Sequence, residues 1–133
     1  MITKLAPVNY SPDAACPTWL KFLNRIFAGD VALIEYLQKV IGYGLTGIVT
    51  EKALFVFHGG GDNGKTTLLE AVRAVIGDYA GVIEIDAMMQ NGRDAVTERA
   101  IAELCGKRFV TASEAEEGQK LREAKIKNLL TRS

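Results

Sequence analysis

Ala53-Leu54-Phe55-Val56-Phe57-His58-Gly59-Gly60-Gly61-Asp62-Asn63-Gly64-Lys65-Thr66-Thr67-Leu68-Leu69 joins three local signals in one run. Ala53 to Phe57 is unbroken apolar sequence, short and rich in branched and aromatic residues. It predicts a strand buried on both faces. Gly59 to Gly64 then supplies glycines where a strand would have side chains. From Lys65 onward, Leu68, Leu69, Val72, Val75 and Ile76 recur at helical spacing until Gly77 ends the pattern. Strand, glycine-rich loop and helix therefore follow one another directly.

The loop itself, Gly59-Gly60-Gly61-Asp62-Asn63-Gly64-Lys65-Thr66, satisfies G-x-x-x-x-G-K-[ST]. Glycines reach backbone angles closed to other residues, so their amides can turn inward around an anion. The helix starting near Lys65 adds its unpaired N–H groups and positive dipole end. Lys65 is placed to contact the β- and γ-phosphates of a nucleoside triphosphate. The Thr66 hydroxyl is placed to ligate Mg²⁺. The expected ATP-binding set is Gly59, Gly60, Gly61, Asp62, Asn63, Gly64, Lys65, Thr66 and Thr67. By average residue usage the bare pattern arises by chance in about one unrelated chain of this length in two hundred. Its position between an apolar run and an amphipathic helix makes chance a poor explanation.

Outward from the loop, the N-terminal side reads as helical. Pro17 suits a first helical turn, and Trp19, Phe22, Leu23, Ile26 and Phe27 share one face. Asp30 is a candidate N-cap for a second helix with Leu33, Ile34, Leu37, Val40 and Ile41 on its apolar side. Gly42, Gly44 and Gly47 are expected to close it. Residues 1–16, broken by Pro7 and Pro12, read as a loose lead-in, 17–50 as a small helical domain, and 51–133 as a partial ATPase core. On the C-terminal side, Val82 to Ile85 reads as a strand, Asp94 to Leu104 as a helix, Phe109 to Ala112 as a strand, and Gln119 to Leu130 as a helix. The order of elements gives an α/β fold with a P-loop NTPase core, preceded by the helical domain.

A triphosphatase needs a carboxylate beside the loop, to hold metal through water or to orient the attacking water. Glu114 is the first acid beyond the Phe109–Ala112 run, with Glu116 and Glu117 following. Glu114 and Lys65 are the candidate catalytic residues, and Glu114 joins Thr66 as a candidate Mg²⁺ ligand. A solvated glutamate at a strand end is the plain alternative. Ser113 stands where such sites often carry a second acid, and a hydroxyl cannot supply that charge.

Composition restrains the rest. The 133 residues suffice for one small domain, and 16 basic against 16 acidic residues give no net charge. No global field draws the chain to nucleic acid or membrane. Two cysteines, Cys16 and Cys105, lie in no ligand-like spacing, which fits a reducing compartment. Neither a signal peptide nor a run of ~18 apolar residues is present. The expected location is cytoplasmic. His58, the single histidine, reads as structural.

Several further stretches carry a family resemblance. They are Phe22-Leu23-Asn24-Arg25-Ile26-Phe27-Ala28-Gly29-Asp30, Tyr36-Leu37-Gln38, Ile41-Gly42-Tyr43-Gly44-Leu45-Thr46-Gly47 and Asn63-Gly64-Lys65-Thr66-Thr67. Gly77-Asp78-Tyr79-Ala80, Leu104-Cys105-Gly106-Lys107-Arg108, Ser113-Glu114 and Ile126-Lys127-Asn128-Leu129-Leu130-Thr131 continue them in order. Over residues 19–131 the chain resembles the helicase part of phage and plasmid primase–helicases, within the superfamily-three helicases. The resemblance implies an AAA+-like core, an ATP-driven motor that unwinds DNA during replication of a mobile element, single-stranded DNA as partner, and a homo-oligomeric ring with ATP between subunits. It also makes Lys127 the candidate DNA contact, although Lys120, Arg122, Lys125 and Lys127 serve equally as an exposed basic face. The family's later sensor strand and arginine finger have no counterpart in residues 1–133, so the chain reads as a truncated portion of such a motor, with an incomplete core. Nucleotide binding is then better supported than hydrolysis, and hydrolysis better than unwinding. Two other readings stand beside it: a small-molecule kinase with Arg93 and Arg99 as lid residues, and a non-catalytic nucleotide-binding remnant.

Overall fold

The computed structural model describes residues 3–89, 94–112 and 120–131. Helix α1 spans Pro17–Ile26 and α2 spans Val31–Thr46. Proline sits in the first turn of α1, as its missing N–H permits. The Asp30 carboxylate accepts from the Leu33 amide at 3.0 Å and caps α2. Gly42 and Gly44 do not close this helix. It runs through both and ends at Thr46, where Gly47 takes the left-handed conformation (φ 72°). Glycine lowers helix propensity without forbidding a helix, and packing decides. Gly44 faces the Arg108 carbonyl and the Phe109 ring, where a β-carbon would make ordinary contact at 3.6 Å.

Helix α3 spans Lys65–Ile76. Leu68, Val72 and Ile76, one turn apart, form its buried stripe. Val75, expected in the same stripe, is exposed. Strand β1, Ala80–Ile83, pairs in parallel with β2, Phe109–Ala112, with Ala80 opposite Phe109 and Ile83 opposite Ala112. A short 3-10 turn over Ile85–Met88 and helix α4, Asp94–Glu103, lie between them in sequence. Helix α5 covers Glu123–Thr131. Its approach is fixed by an antiparallel bridge between Met89 and Leu121 and by the Arg122 amide donating to the Met88 carbonyl.

Two apolar clusters hold these elements. Leu23, Leu37 and Leu68 centre the first, with Trp19, Phe22, Ile26, Phe27, Ile34, Ile41 and Phe57 around them. The helical segment thus shares one core with the helix that leaves the glycine-rich loop. Ile83, Ala87 and Met88 centre the second, flanked by Ala100 and Leu104. Within the N-terminal lead-in, Leu5 and Asp78 are tied reciprocally. The Leu5 amide donates to the Asp78 carboxylate (3.1 Å), and the Asp78 amide to the Leu5 carbonyl (3.2 Å).

The expected strand Ala53–Phe57 is not formed. The segment has no ladder partner among the described residues, and Leu54, Phe55 and Val56 are exposed, Val56 at 79%. A strand exists only through neighbours that take its N–H and C=O groups. The two-stranded sheet pairs β2 with β1 alone. Only Phe57 reaches the first core.

Candidate functional site: the glycine-rich loop

The loop 59–64 is held between Phe57, anchored in the first core, and α3. Its backbone turns through Gly61 (φ 87°), Asp62 (φ 43°) and Gly64 (φ 83°). Anion-binding nests are built from turns of this kind, and three left-handed residues fall within four positions here. Asp62 adopts this conformation without glycine's freedom, which concentrates backbone strain in the loop. Gly64 is the N-cap of α3 and brings no side chain to cap it. Among the described residues no side chain accepts from the first-turn amides of α3.

Gly64 is fixed by the helical segment. A β-carbon there would fall 2.7 Å from the Ile26 methyl Cγ2 and 3.3 Å from the Phe22 ring. Helix α1 thus packs directly under the turn from loop to α3. Gly60 and Gly61 face open space on the outside. Thr66 and Thr67 lie exposed in the first turn of α3.

Lys65 is half-buried and folds back over the loop. Its ammonium donates to the Gly59 carbonyl at 3.0 Å and to the Asn63 Oδ1 at 2.9 Å. The Asn63 amide also lies over Gly59, where a side chain would collide with it. The Lys65 ammonium is thereby held against the loop by its first residue and by Asn63.

The other candidates are dispersed. Glu114, with Ser113, Glu116 and Glu117, lies outside the described residues, as does Arg93. Lys127 is on α5 and exposed. Arg99 pairs with Glu103 at 3.3 Å on the surface of α4. Lys107 and Arg108 are turned to internal partners. The Lys107 ammonium donates to the Asp78 carbonyl at 2.9 Å. The Arg108 guanidinium donates to the Leu45 carbonyl at 2.9 Å and covers the Tyr79 ring at 4.6 Å. A separate open groove of about 640 Å³ runs between α3, β1 and α4, lined by Glu70, Arg73, Glu103 and Lys107 among others. No residue of the loop lines it, and its charges are mixed. It offers neither the amide nest nor the helix end that phosphates require.

Sequence reading took Trp19, Phe22 and Ile26 as core and did not foresee that Phe22 and Ile26 support Gly64. Helical periodicity shows that a face is buried, not what it is buried against. It also gave Asn63 no side-chain role.

The chain matches no protein family, no curated protein and no solved structure. Among the described residues no helix is long and apolar enough to cross a membrane, and no cluster of three or more His, Cys, Asp or Glu residues is arranged to hold a metal ion.

Proposed function

We propose that the chain binds Mg·ATP through Gly59–Thr67 and is the ATP-binding and ATP-hydrolysing portion of a DNA helicase of the primase–helicase type. The observation that carries nucleotide binding is the loop: a lysine ammonium and left-handed turns gathered at a helix N-terminus that no side chain of the described residues caps. These groups suit the oxygens of a polyphosphate, which need several donors and a positive field at once. Lys65 holds the β- and γ-phosphates. Thr66, exposed in the first turn of α3, would hold Mg²⁺, whose charge would offset that of the phosphates. Glu114 completes the set from the sequence alone, orienting the attacking water.

The helicase assignment, with single-stranded DNA and a homo-oligomeric ring as partners, rests on the ordered sequence resemblance over residues 19–131. Lys127 is its DNA contact. The test is ATP turnover with and without single-stranded DNA, in wild type and Glu114→Gln. Stimulation by DNA that disappears in Glu114→Gln is the expected result. Turnover indifferent to DNA, or phosphoryl transfer to a nucleoside or nucleotide acceptor, contradicts the helicase reading.

A further inference from the structure

In the loop the Lys65 ammonium has two acceptors, the Gly59 carbonyl and the Asn63 side chain. An ammonium has three N–H donors in tetrahedral array. It cannot keep both of these partners and also engage the oxygens of two phosphates. Something must be given up on binding. The Gly59 carbonyl belongs to the backbone of the loop. The Asn63 Oδ1 belongs to a side chain that can rotate away.

From this geometry we infer that Asn63 is a positioning residue that latches Lys65 to the loop and is displaced when a polyphosphate binds. The inference rests on the proposed triphosphate site. Asn63 does two things in the latched state. It holds the ammonium folded back against the loop, so the lysine does not lie extended in solvent. It also occupies one donor of Lys65, so a ligand must offer enough oxygens to displace it. The latch therefore favours ligands that reach Lys65 with several oxygens, the β- and γ-phosphates of a triphosphate. It resists single phosphates, which offer fewer.

The consequence is a definite sign. Removing the acceptor with Asn63→Ala leaves Lys65 held by Gly59 alone, and less must be surrendered on binding. Mg·ATP affinity then rises, by about three- to tenfold for one hydrogen bond to a charged group, part of whose worth the solvent returns. Asn63→Asp keeps the shape but sets a carboxylate against the ammonium, holds it more firmly and weakens binding. If Asn63 merely supported the loop, both substitutions would weaken binding. Opposite directions are the signature of the latch.

The experiment is titration of wild type, Asn63→Ala and Asn63→Asp with a fluorescent ATP analogue and Mg²⁺, with thermal melts of each. Tighter binding by Asn63→Ala and weaker binding by Asn63→Asp are the expected results. Unchanged or weaker binding by Asn63→Ala, against a wild type that binds, overturns the latch and leaves the triphosphate site standing. A wild type that binds no Mg·ATP removes the triphosphate site, and the latch with it.

Discussion

Gly64 bears two constraints that no other residue type meets together. Its φ of 83° is closed to most side chains, and Ile26 lies where a β-carbon would go. Gly64→Ala should therefore destabilise the chain by about 1–3 kcal/mol through strain and overpacking, and should weaken nucleotide binding as well. Urea unfolding alongside Mg·ATP titration checks both; a variant of unchanged stability would mean that α1 does not press on the loop. Lys65 differs, because its contacts are local to the loop and half-exposed. Its removal should affect ligand binding far more than folding. At this scale the motif was legible because phosphate chemistry dictates residue type and spacing. The Asn63–Lys65 contact was not, since nothing in the spacing tells where an amide side chain will point.

Arg108 sets the relation between elements. Its guanidinium caps the Leu45 carbonyl in the last turn of α2 and stacks on Tyr79, while its own amide donates to the Tyr79 carbonyl at 2.7 Å. One residue thus joins the helical segment to the β1–β2 layer. Arg108→Met keeps the stem but loses the carbonyl bond and the cation–π contact. It should lower stability by about 1–2 kcal/mol, measured by denaturant unfolding; no change would show that α2 and the sheet are held by apolar packing alone. Periodicity gave α1, α3, α4 and β2 nearly as they are, because each exposes one face and buries another. It failed where pairing matters. Ala53–Phe57 has the composition of a central strand, yet composition cannot supply neighbours. Gly42 and Gly44 look like breakers but stand inside α2, because glycine lowers helix propensity without forbidding a helix.

For the whole molecule, the exposed run Leu54-Phe55-Val56 is a liability. An apolar stretch of high β-propensity that has no ladder partner among the described residues invites pairing between chains. The absence of net charge adds no general repulsion. Val56→Lys, at a position 79% exposed, should reduce concentration-dependent self-association without loss of thermal stability. Sedimentation velocity over a range of concentrations checks it, and identical profiles for variant and wild type would contradict it. The order of elements led to the α/β expectation, and the structure contributes to it one parallel pair, β1 with β2, among helices. Which strands lie side by side was not legible, because parallel pairing joins residues distant in sequence. The central claim concerns the loop, and it is tested most directly by calorimetric titration of Mg·ATP into wild type and Lys65→Ala. Loss of the charge-assisted bonds to phosphate should weaken binding by roughly 10- to 100-fold while the melting temperature stays close to that of wild type. Equal affinity in the two proteins would contradict the assignment of Gly59–Thr67 as the triphosphate site.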